Sequence, residues 1–171
     1  MLVTYQQLKT YLGIATLDTS QDAVLTQLAT QADMFIRNYI NRPKVESASC
    51  VDVINYPYRL NTYPITAVTS VVDEDLVTIP STDYELDTNN GILRLDDDIY
   101  TGKLTVTYTG GYASVPADLT YVACRIASQW FNLRKADGIT SESLEGVNVT
   151  MTHQFLTDEL KAILDKYKRI I

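Results

Sequence analysis

The chain contains one histidine, His153, so any nucleophilic arrangement with an imidazole base would have to run through it. It sits in a stretch rich in Gly, Ser, Thr and Asn, far in sequence from both cysteines, Cys50 and Cys124. A Ser-His-Asp set or a Cys-His pair has no support from that spacing, and a solvated loop histidine is the expectation. Asp96, Asp97 and Asp98 offer carboxylate oxygens that could bind Mg²⁺ or Ca²⁺. Calcium loops, however, place their ligands at alternate positions, and a consecutive run is the pattern of a solvated acidic hairpin tip. The two cysteines have neither metal-ligand nor redox spacing and read as free thiols. Gly110-Gly111 is accounted for by a turn. No glycine-rich phosphate loop, nucleophile elbow or zinc spacing occurs. The residue types therefore predict no catalytic residue, no metal and no cofactor.

Composition narrows the partners. A net charge of −7 argues against a protein that grips nucleic acid, because phosphate binding needs clustered Lys and Arg. It leaves room for a protein that DNA slides past. No apolar run approaches a membrane span, and "MLVTYQQLK" lacks the charged-then-apolar order of a signal peptide, so folding in a cytoplasm and no membrane contact are expected. The 12 tyrosines suit both strands and interfaces.

The elements that must position these residues fall into an α+β order. Thr4 and Gln7 have the spacing of a capping box ahead of a short helix that Gly13 stops. A second helix is predicted from Thr19 or Ser20, with Leu25, Leu28, Ala29, Ala32, Phe35, Ile36 and Tyr39 on one stripe, and Pro43 forbids its extension. "SCVDVINY", "ITAVTSVV" and "KLTVTY" alternate as strands, and "YELDTNNGILRL" reads as a hairpin about Asn90-Gly91. A third helix is predicted over Pro116 to Arg134, with a stripe of Leu119, Val122, Ala123, Ile126, Ala127 and Trp130 broad enough for both the second helix and the sheet. "KADGITSESLEGVNVTMTHQ" reads as a mobile loop, and Thr157 caps a last helix with Leu160, Ile163, Leu164 and Tyr167 on its apolar face. The expected fold is a helical core with an inserted small antiparallel β-sheet or sandwich. It forms one domain over 1–171: N-terminal helices to 44, β-rich insertion over 45–109, third helix over 110–135, loop and last helix over 136–171. Leu28, Phe35, Ile126 and Trp130 are expected in shared contact at the helical core.

The order of these pieces resembles the head–tail connector (adaptor) proteins of tailed bacteriophages, in their longer form with a β-rich insertion between the second and third helices. The resemblance runs over nearly the whole chain, through "YINRP", "YPITAVTSV", "DYELDTNNGILRL", "KLTVTYTGGYASVPADL", "QWFNLRKA" and "LDKYKRII". It implies a structural virion protein at the head–tail interface, without catalysis or cofactor. Such proteins form a homo-oligomeric ring of about twelve copies under the portal protein. The ring extends the DNA channel, with DNA passing through the lumen unread, and supports a stopper or tail-completion protein. The acidic charge is compatible with such a lumen. A different virion neck or tail-completion protein, and a cytosolic non-viral binding module or small hydrolase, remain the alternatives.

Two contact surfaces are expected. Tyrosine-bearing strands and loops of the inserted sheet would join neighbouring copies. The C-terminal segment would dock on the portal through Leu164, Tyr167, Lys168, Arg169, Ile170 and Ile171, because a basic cluster there stands beside two isoleucines on an otherwise acidic chain. The competing expectation is that this helix packs back on its own core.

Overall fold

Thr4 and Gln7 close the first turn of the chain. In the computed structural model, which describes residues 1–96, 102–134, 141–144, 147–150 and 156–169 (the two four-residue stretches by backbone alone), the Gln7 N–H donates to the Thr4 hydroxyl at 3.2 Å. The Thr4 N–H donates in return to Gln7 Oε1 at 2.8 Å, which completes the capping box. Helix α1 (Tyr5–Leu12) ends at Gly13, whose φ of 70° is the left-handed C-cap that glycine adopts without strain.

Helix α2 (Asp22–Ile40) starts later than Thr19 or Ser20. Ser20 does not cap it: its N–H and hydroxyl both donate back to Asp18 Oδ1, at 3.0 and 2.6 Å, and the N-cap position falls on Gln21, without a side-chain cap bond. Those two bonds also hold the Asp18 carboxyl below its ordinary range. Asp22 in the first turn instead pairs with Lys9 Nζ at 2.7 Å and ties α2 to α1. Asn41, at φ 54°, ends the helix.

Helices α3 (Ala117–Leu133) and α4 (Asp158–Asp165) complete one compact unit, built from Met1–Asn41 and the chain from Ala117 onward. Within it α3 packs on α1, α2 and α4. The buried line of α2 is Leu25, Ala29, Ala32, Ile36 and Ile40, and it meets Leu119, Val122, Ala123, Ile126 and Ala127 of α3 at a seam where the alanines let the backbones approach. The expected quartet is only partly right. Ile126 is buried, whereas Leu28 and Trp130 are half-buried and Phe35 is 37% exposed. The stripe on α2 runs through Ile36 and Ile40, one position round from Phe35 and Tyr39. Phe35 and Trp130 do meet, edge to face at 6.0 Å, on the rim of the seam rather than in it.

The second unit, Arg42–Pro116, is the inserted β region. Strands β1 (Ala48–Ile54), β2 (Ile65–Val72) and β5 (Leu104–Gly110) form an antiparallel sheet in the order β1-β5-β2, and β3 (Tyr84–Asp87) pairs with β4 (Ile92–Leu95). Leu104, Val106 and Tyr108 face inward from β5, as their alternation predicts. They share a core with Cys50, Ile54, Ile65, Val71, Tyr58, Leu60 and Leu93. The β3–β4 turn spans Thr88 to Gly91, longer than the two-residue Asn-Gly turn suggests. The Asp87 carboxylate organises it by accepting from Asn90 Nδ2 at 2.8 Å and from the Asn89 and Asn90 N–H groups at 3.1 Å. Those bonds hold its pKa below the usual carboxylate value.

The stretch after α3, expected as a loop, contains a hairpin. β6 (Ser141–Leu144) and β7 (Val147–Thr150) pair antiparallel, from Ser141↔Thr150 to Leu144↔Val147. Its strands are four residues each and half of those residues are Ser, Asn or Thr, which hid the alternation of Val147 and Val149 from a reading based on composition. His153, Asp97, Asp98, Ile170 and Ile171 lie outside the described residues.

Candidate assembly surfaces

The C-terminal residues singled out from sequence fold back on their own helices as far as they are described. Leu160 and Leu164 are buried against α2 and α3. The Tyr167 hydroxyl donates to Asp118 Oδ1 at 2.6 Å, and the Arg169 N–H donates to the Ile40 carbonyl at 2.8 Å. The Tyr39 hydroxyl donates to Asp165 Oδ1 at 3.1 Å, and desolvation, then that carboxylate, raises the Tyr39 pKa. Lys168 Nζ stands 5.4 Å from the Tyr39 ring centroid. Leu164 is therefore committed internally and Tyr167 is half-buried, whereas Lys168 projects into solvent beside exposed Lys166.

In the β unit the two glycines at the end of β5 have separate reasons. A Cβ on Gly110 would come within 2.5 Å of the Thr62 carbonyl oxygen. Gly111, at φ 104°, donates its N–H to the Pro64 carbonyl at 2.8 Å, and a Cβ there would overlap the Glu46 carbonyl. The chain then turns toward Pro116 and the first residue of α3, Ala117. These glycines are packed against backbone and form no ligand loop.

The outward face of the β1-β5-β2 sheet is a surface that sequence reading missed. Register places Ser49, Val51 and Val53 of β1 beside Thr109, Thr107 and Thr105 of β5, with Ala67, Ser70 and Val72 of β2 on the far side. None of these nine residues is charged. Val51 and Val53 are 63% and 66% exposed, while Asp52 between them points inward to meet Tyr108. Polarity alone would have put the valines inside. The register of β1 on β5, and the demand of the Tyr108 hydroxyl for a partner, invert the strand.

The tyrosines of the β unit mostly serve its own core. Tyr58, Tyr63 and Tyr108 are buried, and Tyr56 is exposed. Another apolar projection is Leu76, 84% exposed with φ 63°, at a turn where Asp73 Oδ1 accepts the Asp75 and Val77 N–H groups at 3.0 and 2.8 Å. Among the described residues no cluster of three or more His, Cys, Asp or Glu side chains has metal-binding geometry, and no helix is long and apolar enough to cross a membrane. Cys50 and Cys124 are free and buried, and burial raises the Cys124 thiol.

The model of one protein family, described as head completion protein, matches residues 1–170. The chain belongs to the head completion protein family. That membership bears out the resemblance to head–tail connector proteins carried by the order of elements. No curated protein matches the chain. Among solved structures, this head completion protein is similar to a chain in a structure titled "Neck of empty GTA particle computed with C6 symmetry". The TM-score is 0.60 at 17% identity, over 98% of this chain and 89% of that one. At that identity the likeness is one of fold, and it takes in both the helical unit and the inserted sheet.

Proposed function

We propose that this head completion protein is a structural component of the neck of a phage-like particle, a head–tail adaptor with no catalytic role. In this reading about twelve copies form a ring under the portal, extend the DNA channel and carry the stopper or tail-completion protein. The observation that carries it is the family match over residues 1–170. The fold likeness to a chain from a particle neck treated with C6 symmetry supports a cyclic arrangement. The net charge of −7 suits a lumen through which DNA passes without being held.

We propose portal docking through the C-terminal segment, Leu164, Tyr167, Lys168, Arg169, Ile170 and Ile171, of which Lys168 is exposed. Leu164 and Tyr167 shape its surface from beneath, through their contacts with α2 and α3.

The test is a particle preparation from a host lacking the gene. DNA-filled heads without tails should accumulate, and added protein should restore tail joining. Normal tailed particles in its absence, or purified particles without the chain, would overturn the neck reading.

A further inference from the structure

Two features of the chain lack what their geometry calls for. β1 is an edge strand of seven residues, unbulged along its full pairing with β5 and free of proline and lysine. Natural edges are commonly blunted by bulges, charges or covering segments. The other edge strand, β2, shows such protection: its pairing with β5 has two register shifts, and the returning chain covers its end through Val72↔Thr78 and the Ile79 N–H to Val71 carbonyl bond of 2.8 Å. Among the described residues the unpaired side of β1 has no backbone partner; Lys44 Nζ reaches the Ser49 carbonyl at 3.5 Å and Cys50 Sγ at 3.7 Å, and the Asp52 carboxylate is turned inward to Tyr108 and the Asn61 N–H.

The β6–β7 hairpin has the complementary deficit. Among the described residues its strands pair with each other and with no other element of their unit. A two-stranded hairpin in water is marginal without a further strand or a packing surface. By register, positions 142, 144, 147 and 149 fall on one side of the ribbon, and three of those four are Leu144, Val147 and Val149.

We propose that the β6–β7 hairpin of one copy adds to the β1 edge of the next copy and extends its sheet. Main-chain hydrogen bonds would supply the pairing, as in other strand additions. Charge agrees with this pairing. Lys44 is exposed at the start of the β1 edge, and Glu142 is the charged residue among the paired hairpin positions. Val51 and Val53 on the outward face of β1 would continue the apolar side of the incoming ribbon. The contact joins two different surfaces, so it is head-to-tail, the type of contact that builds a ring when the rotation between copies closes. This inference rests on the ring reading above and names the contact that builds the ring.

The experiment places a photo-crosslinking amino acid at Val53 and reconstitutes particles from equal amounts of heavy- and light-isotope protein. Crosslinks from position 53 into residues 141–150, with mixed-mass peptide pairs, are the expected result. Crosslinks mapping only elsewhere in an assembled ring overturn strand addition and leave the neck reading standing. Pairs of a single mass only would show that the hairpin meets its own β1, which also overturns it. Absence of the chain from the particles overturns the neck reading, and the inference with it. A companion variant, Val149→Pro, should keep the thermal midpoint of the helical unit and lose ring formation. Rings formed by that variant at the wild-type yield would contradict the proposal.

Discussion

The Tyr108 hydroxyl donates to Asp52 Oδ2 at 2.6 Å across the β1–β5 pair, and accepts the Thr62 N–H at 3.0 Å. Asp52 Oδ2 also accepts the Asn61 N–H at 2.7 Å, so one phenol and one carboxylate tie the chain at Asn61 and Thr62 to the buried side of the sheet. Burial, and then the nearby carboxylate, push the Tyr108 phenol well above its ordinary value of 10.0.

Tyr108→Phe should cost about 1–3 kcal/mol, because it leaves a buried N–H and a carboxylate short of a partner. The phenol makes its full contribution below the unfolded-state value of 10.0 and loses it as pH rises from there toward the higher folded-state value. Thermal melts from neutral to strongly alkaline pH should show the wild type losing stability above about pH 10, with a shallower loss in the phenylalanine variant. Parallel profiles would remove the assigned role.

The Phe35–Trp130 contact sits on a rim, so Trp130→Ala should give soluble, folded protein. Its cost should fall below the roughly 3–5 kcal/mol of a fully buried aromatic. A double-mutant cycle with Phe35→Ala should return a coupling of about 0.5–1.5 kcal/mol. A coupling of zero in urea melts would mean that the edge-to-face pair has no energetic content.

Two glycines with positive φ should respond very differently to alanine. Gly13 has open space around its missing Cβ, so Gly13→Ala should cost about 1–2 kcal/mol from backbone conformation alone. Gly111→Ala adds a collision with the Glu46 carbonyl and should cost about 3 kcal/mol or more. Equal melting temperatures for the two variants would contradict the packing at the end of β5.

Lys168→Glu changes the charge of an exposed side chain beside Tyr39 and Asp165 and should leave the unfolding free energy within about 0.5 kcal/mol of wild type. If this surface meets the portal, the variant should fail to join DNA-filled heads. Wild-type incorporation, read by quantitative blotting of purified particles, would move the docking surface elsewhere.

His153→Ala, and separately alanine at Asp96, Asp97 and Asp98, should leave the yield of tailed particles unchanged. A folded variant of either kind that yields no infectious particles would reopen a catalytic or metal role.

Much of this architecture is legible in the sequence where a local rule acts alone. Thr4 with Gln7, Gly13, the Leu104–Tyr108 alternation and the Leu119–Ala127 stripe each specify an element without help from distant residues. The sequence misleads where a distant partner decides. Val51 and Val53 look like core until the β5 register turns Asp52 inward. The β6–β7 hairpin escaped because two four-residue strands, half of them Ser, Asn or Thr, are too short for an alternation to stand out. The candidate surfaces were half visible: the basic C-terminal residues stand out by charge, whereas an uncharged sheet face shows itself only after three strands are aligned.

The two ends of the inserted β unit are fastened to each other. The Ser47 N–H donates to the Tyr112 carbonyl at 2.9 Å, and the Tyr112 N–H donates to the Val45 carbonyl at 2.8 Å. The insertion therefore leaves and re-enters the chain through one doorway. The entropy of closing a long connection between α2 and α3 is met largely by the folding of the insertion itself. Such a cassette could be removed, lengthened or exchanged for another with adjacent ends while the flanking helices keep their seam.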